Sequence, residues 1–313
     1  MNTLKGRDFL TLQDFSKKEI AKMLDRAENL KSRYARGGGA KKLLKGKTLA
    51  MLFMKPSTRT RVSFETGMYQ LGGHAIFLNK DHTQIGRGES VKDTALVLSR
   101  YVDGVMARVY EHEYLKEFAK WSSVPVINGL SNFLHPCQAL SDLFTIQETV
   151  GKLKGVNVSY VGEANNVSNS LMIGCSKMSV DFTIYSPKQF PVNETILKYA
   201  RKNAEESGAE ILVKTKIDAT LENSKFIYTD TWESMHQRFD KKELERIMAP
   251  FQVNECMMKT LKKRRKMFYF MHDLPAHRGH EITSEVMDSK YSIIFRQAEN
   301  RLHAQKALMS LIL

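Results

Sequence analysis

Cysteine is scarce in this chain. There are three among 313 residues, at positions 137, 175 and 256, with no CxxC spacing. That excludes a disulfide framework and a cysteine-rich zinc module, and it fits a reducing cytosol. No run approaches the roughly 18 uninterrupted apolar residues of a membrane span. The first twenty residues, MNTLKGRDFLTLQDFSKKEI, hold acidic residues and no apolar core, so a secretory signal is excluded and a cytoplasmic place is expected. Tryptophan (two) and proline (seven) are also few, and no low-complexity or repeated segment is present. Acid is in short supply too. Against 48 Lys+Arg stand 34 Asp+Glu, a net charge of +14. A basic surface calls for an anionic partner, whether nucleic acid, membrane or a small phosphate compound, and the count alone leaves all three open.

What the chain does have is ordinary globular composition, 42% hydrophobic and 26% charged. At about 150 residues per domain the length gives two domains. Strand-like and helix-like segments alternate. Apolar residues spaced over 12–35 predict a helix, and TLAMLFM (48–54) a buried strand. Helical patterns follow Pro56 and cover 90–101 and 114–122, with strands at 74–78, 104–109 and 124–129. A second β-α series begins at VNVSYVG (156–162) and runs through strands at 181–187, 209–213, 225–230 and 267–275. Residues 291–313 read as one long helix. The pattern predicts an α/β fold with two domains, each a parallel β-sheet flanked by helices, and a boundary near 145–155.

Ser57-Thr58-Arg59-Thr60-Arg61 falls where a strand meets a helix. Hydroxyls, guanidinium groups and the free N–H groups of a helix start suit an anion. Without context, a solvated basic helix start is an equally good reading. The segment lacks the spacing of a P-loop and the interleaved aromatics of a nucleic-acid strip.

Context comes from FMKPSTRTRVSFE (53–65), HTQIGRGESVKDTALVLSRY (82–101), HPCQALSDL (135–143), VGEANNVSNSL (161–171), DTWESM (230–235), HDLPAHRG (272–279) and QAENRLHAQKAL (297–308). This ordered set resembles the aspartate/ornithine carbamoyltransferase family, and within it the ornithine branch. The resemblance implies a carbamoyl phosphate-binding domain over 1–147, an amino-acid-binding domain over 148–290, and a C-terminal helix (291–313) packing back on the N-terminal domain. It implies transfer of the carbamoyl group of carbamoyl phosphate to the side-chain amine of L-ornithine, giving citrulline and phosphate. No cofactor and no metal are implied. Homotrimers or their multiples are, with Gln84 reaching a neighbouring subunit's site. Ser57, Thr58, Arg59 and Thr60 would hold the phosphate. Arg108, His135, Gln138 and Arg301 would engage the carbamoyl group or phosphate. Asn166, Asp230, Ser234, Met235, Asp273 and Leu274 would seat the amino acid, with Arg108, His135, Asp230 and Asp273 nearest the chemistry. Acidic Asp230 favours a cationic amine, so ornithine is preferred to aspartate.

Three departures stand out. The family's Ser-Met-Gly is Ser234-Met235-His236, its VGDGNN is VGEANN, and its His-Cys-Leu-Pro is His272-Asp273-Leu274-Pro275. Asp273 adds a second carboxylate beside Asp230. Either it is a tolerated hydrogen-bond acceptor, or it alters amine choice (putrescine, lysine) and shifts the pH dependence. A retired, basic binding homologue is the remaining alternative. KKRRK (262–266) could serve it, although such a run usually marks a solvated helix face. Nucleic acid and membrane are otherwise not expected as partners. Cys137, read in an extended segment beside His135, lacks an orienting third group and is not expected to be a nucleophile. His74, His82 and His112 lack ligand spacing and read as surface or loop residues. GEANNV lacks the later glycines of a dinucleotide loop.

Overall fold

The apolar spacing over 12–35 predicts one helix, and Ser16 divides it. Ser16 Oγ accepts from Glu19 N at 3.3 Å while Glu19 Oε2 accepts from Ser16 N at 2.8 Å. This capping box starts α1 (Lys17–Ala35) and leaves Leu12–Asp14 as a separate 3-10 turn. The structure, a computed structural model, describes residues 4–38, 42–232 and 239–313. Its contacts divide the chain into two units. One is Met1–Phe144 with Asn300–Leu313, and the other is Thr145–Glu299.

The first unit continues with β1 (Thr48–Phe53), α2 (Thr58–Gln70), β2 (His74–Asn79), α3 (Val91–Leu98), β3 (Gly104–Arg108), α4 (His112–Trp121), β4 (Val126–Leu130) and α5 (Pro136–Val150). The strands form one parallel sheet in the order β2-β1-β3-β4. Leu49 through Phe53 are all buried, as the uninterrupted apolar run predicts for a central parallel strand. The register slips between Ala107 and Arg108, so that Arg108 pairs with Leu130 after Ala107 has paired with Asn128. That irregularity lies at the carboxyl end of β3, where α/β sheets carry their ligands.

Residues 136–150, which the periodicity leaves unassigned, are α5. The helix extends past Phe144, where the contacts divide the two units. Cys137 is therefore in a helix rather than an extended segment. Its thiol is buried, donates to Asn128 O at 3.3 Å, and is pushed up to about 12 by burial.

The second unit holds β5 (Asn157–Val161), α6 (Asn166–Lys177), β6 (Asp181–Tyr185), α7 (Glu194–Ser207), β7 (Ile211–Lys214), β8 (Phe226–Thr229), α8 (Lys241–Met248), α9 (Glu255–Lys263), β9 (Tyr269–His272) and α10 (Ser284–Met287). Its sheet is again parallel, in the order β7-β6-β5-β8-β9. The carboxyl ends of β5, β8 and β9 are thus neighbours. The last helix, α11, spans Ile294–Ile312. It starts later than the pattern predicts, because residues 291–293 hydrogen-bond along β9: Phe270 N donates to Tyr291 O at 2.8 Å and Ile293 N to Phe270 O at 3.0 Å. From Asn300 onward α11 counts with the first unit. Gly67 on α2 makes room for it, since a Cβ there would sit 2.9 Å from Met309 Cε and 3.2 Å from Lys306 Cγ. Among the described residues no helix is long and apolar enough to cross a membrane.

Candidate active site

In the first unit, α2 begins directly after β1 and the turn at Pro56. Ser57 caps it, accepting from Thr60 N at 3.2 Å, and donates its own hydroxyl proton to Thr60 Oγ1 at 3.1 Å. Such a cap is worth about 1 kcal/mol and fixes the helix start. The first N–H groups of a helix carry about half a positive charge, which favours an anion. Thr60 is buried, Arg59 half-buried, and Thr58 exposed.

Arg301, buried on α11, adds a guanidinium to this place. Its Nη1 donates to Gln138 Oε1 at 2.6 Å, and its Nη2 reaches Thr60 Oγ1 at 3.5 Å. With its amide turned to satisfy both ends, Gln305 accepts from Arg301 Nη2 at 2.9 Å and donates to Ser63 Oγ. Gln138 in turn donates from Nε2 to Asp142 Oδ1 at 2.8 Å. His135 is buried just before α5. Burial first, then the charges of Arg301, Arg108 and Arg59, hold its pKa well below the usual imidazole value. A neutral imidazole among three guanidinium groups can donate to a carbonyl oxygen without first needing a proton.

Arg61 faces elsewhere. It pairs with Glu65 at 3.0 Å and lies 3.8 Å over the Phe77 ring. Gln84 is exposed in a 3-10 turn, Gln84–Arg87. It lines a cavity of about 460 Å³ together with Asp81, His82, Arg87 and Glu89. His74 and His82 are exposed as expected, but His112 is buried. Its Nδ1 is 2.9 Å from Ser131 Oγ, because the side chain folds under the loop that follows β4.

The second unit brings together residues from three strand ends. After β5 the chain turns at Gly162, whose φ of +145° side chains rarely adopt. Ala164 N donates to Ser186 Oγ at 3.1 Å, and Glu163 is buried. Asn165 caps α6, accepting from Val167 N and Ser168 N at 3.0 and 3.1 Å, and Asn166 is the first helical residue. The other end of the Asn165 amide donates to Asp230 Oδ2 at 2.7 Å. Thr231 N donates to Asp230 Oδ1 at 2.7 Å.

From the end of β9 come His272, Asp273 and Leu274. Ligand atoms of Asp230, His272 and Asp273 lie within 4.8 Å of one another, and all three residues are buried or nearly so. This is the one group among the described residues whose donor types and spacing would admit a metal ion. His74, His82 and His112 do not belong to it.

Burial and the nearby Asp273 charge raise Asp230 well above the usual carboxylate range. Burial works the same way on Asp273, but the hydrogen bond and charge of His272, and a hydrogen bond from Asp230, outweigh it and leave Asp273 lowered. Two adjacent buried carboxylates thus favour a single proton shared by the pair, with Asp230 the raised member. Burial opposes a charge on His272, yet Asp273 and Glu281 push its pKa up to about 9. Leu274 N works against that proton by donating to His272 Nδ1 at 2.9 Å, while Nε2 lies 3.0 Å from Glu281 Oε1.

Ser234, Met235 and His236 lie outside the described residues. Two residues that the sequence motifs do not single out matter here. Glu281 is fully buried and also accepts from His277 N at 2.5 Å. Asn165 binds both a helix start and a carboxylate. The cap signature of Asn165 is readable from Asn-x-x-Ser before an apolar run. Glu281, nine residues beyond its partner His272, gives no local signal.

One α/β unit thus carries a capped helix start with arginines beside it, and the other a buried acidic pair, equipment found in group transferases. Family models say which. Residues 7–148 match the aspartate/ornithine carbamoyltransferase carbamoyl-P binding domain, and residues 154–312 match the Asp/Orn binding domain. The chain belongs to the aspartate/ornithine carbamoyltransferase family. It is 50% identical over 311 residues to the ornithine carbamoyltransferase of Pyrococcus abyssi, covering 99% of this chain and 97% of that one. It is 49% identical to the anabolic ornithine carbamoyltransferase of Pyrococcus furiosus, covering 99% and 98%. The solved ornithine carbamoyltransferase structure from Pyrococcus furiosus superposes with a TM-score of 0.95 over 100% of this chain and 98% of that one. The anabolic enzyme from Campylobacter jejuni gives 0.87 at 40% identity, over 97% of each chain.

Proposed function

We propose that this protein transfers the carbamoyl group of carbamoyl phosphate to the side-chain amine of L-ornithine, releasing L-citrulline and phosphate, in the anabolic direction named for two of its relatives. The observation that carries the reading is the first-unit cradle. There a capped helix start, Thr60, the Arg301–Gln138 pair and a neutral His135 converge.

Ser57, Thr58, Arg59 and Thr60 grip the phosphate. Arg108, His135 and Thr60 point donors at the carbamoyl oxygen, where negative charge develops as the centre becomes tetrahedral. Gln138 contacts the carbamoyl NH2, and Arg301 closes on the anion. Gln84 serves the site of a neighbouring subunit in a homotrimer or a multiple of trimers. Exposed Leu96, Val97 and Tyr101 support such burial of the first unit's surface. Asn166, Ser234, Met235 and Leu274 hold the α-amino and α-carboxylate groups of the amino acid.

Asp230 and Asp273 seat the side-chain nitrogen. It enters as ammonium and gives a proton to Asp273. The freed lone pair attacks the carbamoyl carbon, a C–N bond forms, and the C–O bond to phosphate breaks. The nitrogen gives its second proton to the departing phosphate as the tetrahedral centre collapses. The substrate is its own nucleophile, so no covalent enzyme intermediate is required. Alignment of the reactants at about 3–3.5 Å supplies much of the remaining acceleration.

The test is carbamoyl transfer from carbamoyl phosphate to ornithine, lysine, putrescine, diaminobutyrate and aspartate. Citrulline from ornithine, at the highest kcat/KM of the panel, is expected. A preference for lysine or putrescine would move the substrate assignment. No product with any amine would sink the enzyme reading.

A further inference from the structure

We infer that Asp142 is a positioning residue for carbamoyl transfer: it decides which end of the Gln138 amide faces the substrate. An amide side chain is nearly symmetric in shape, and only its partners choose between oxygen and NH2. Gln138 and Asp142 are one turn apart on α5, and both side chains are buried. Asp142 Oδ1 takes the NH2 end at 2.8 Å. The oxygen end must then point the other way, and it does, accepting from Arg301 Nη1 at 2.6 Å.

The direction has a chemical consequence. The groups assigned to this half of the site are mostly donors: the guanidinium groups of Arg59, Arg108 and Arg301, and the neutral imidazole of His135. They suit the phosphate and the carbamoyl oxygen. A carbamoyl group also carries an NH2, which needs an acceptor. Gln138 Oε1 supplies one only while Asp142 holds the NH2 end away. A reversed amide would set donor against donor at the substrate and again at Arg301. Asp142 also places a buried carboxylate one helical turn from this cationic cluster. The inference rests on the reading of Gln138 as a carbamoyl contact.

Steady-state kinetics with both substrates varied test it on the full-length protein. Asp142→Ala is expected to raise KM for carbamoyl phosphate about tenfold and to leave KM for the amine nearly unchanged, since one buried charge-assisted hydrogen bond is lost. Asp142→Asn, which retains an acceptor oxygen, is expected to recover most of that. In a Gln138→Ala background Asp142→Ala is expected to add nothing, because the cycle removes a single shared interaction. An equal effect of Asp142→Ala in both backgrounds would overturn the inference. If Gln138→Ala leaves KM for carbamoyl phosphate unchanged, the assignment of Gln138 fails and the inference with it. If Gln138→Ala matters and Asp142→Ala does not, the inference alone fails. Should Asp142→Ala not fold, the pair Gln138→Glu with Asp142→Asn restores one donor facing one acceptor. It is expected to recover carbamoyl phosphate affinity relative to Gln138→Glu alone, and no recovery overturns the claim.

Discussion

Asn165 Nδ2 donates to Asp230 Oδ2 at 2.7 Å while its Oδ1 accepts two amides of α6. One amide therefore locks a helix start to the carboxylate proposed to receive the amine. Aspartate caps helices about as well as asparagine. Asn165→Asp should thus keep α6 and still replace the donor to Asp230 with a third carboxyl group. We expect KM for ornithine to rise by roughly five- to 150-fold, the range for a buried acceptor left without its donor at about 1–3 kcal/mol. KM for carbamoyl phosphate should hardly move. Initial-rate kinetics beside a thermal melt check both parts; a melt that collapses would mean that the cap itself was lost.

Arg301 offers a planar fork with Gln138 and Thr60 already on it. Lysine keeps the charge and loses the fork. Arg301→Lys is expected to weaken carbamoyl phosphate binding by about 1.5–3 kcal/mol, or roughly tenfold to 150-fold. Titration calorimetry with carbamoyl phosphate or inorganic phosphate measures this directly. Unchanged affinity would remove Arg301 from the anion site.

Much of this fold and site is legible in the amino-acid sequence, for identifiable reasons. β1 declares itself because a central parallel strand is apolar on both faces, whereas Ser57–Thr60, which alone read equally well as a solvated helix start, take their anion reading from the ordered motifs around them. Other features depend on contacts distant in sequence. Helix α5 mixes Pro136, Gln138 and Asp142 with apolar residues because it is buried nearly all round, which erases the amphipathic period. Periodicity misplaces the start of α11 because residues 291–293 are held by β9, a pairing no local signal encodes. His112 reads as a surface residue until Ser131 closes over it. Asp273 is visible as a departure from the family pattern, but its proton-sharing with Asp230 comes from the adjacency of β8 and β9.

Two histidines make stability depend on pH in a calculable direction. His135 and His112 both have pKa values lowered by burial in the folded chain. The unfolded chain binds protons at these positions from about pH 6.5 downward, and the folded chain resists them. Their contribution to stability is therefore complete above that value and is lost as pH falls below it. These two groups lower the melting midpoint as pH falls from 8 to 5. In His135→Asn the loss on acidification should be smaller than in the wild-type chain. The opposing slopes from Asp230 and His272, whose pKa values are raised, are present in both chains and cancel in the comparison. Parallel slopes would show that His135 is not held neutral.

Asp273 stands where the family pattern has cysteine, and its effect on the reaction should be readable in the pH profile. Asp230 is raised by burial first and by the Asp273 charge second. Removing that charge lowers Asp230 toward the ordinary carboxylate range. It also loosens the grip on the ammonium, which must lose a proton before it attacks. Both effects act in the same sense. The acid limb of kcat/KM for ornithine should therefore lie at higher pH in the wild-type chain than in Asp273→Cys, whose thiol stays uncharged below about 8.5. If the pair also selects the amine, the panel of ornithine, lysine, putrescine and diaminobutyrate should reorder in Asp273→Cys. A coincident acid limb together with an unchanged order would reduce Asp273 to a tolerated hydrogen-bond acceptor. A shifted limb with an unchanged order would assign it to proton handling, with Asp230 left to recognise the cation.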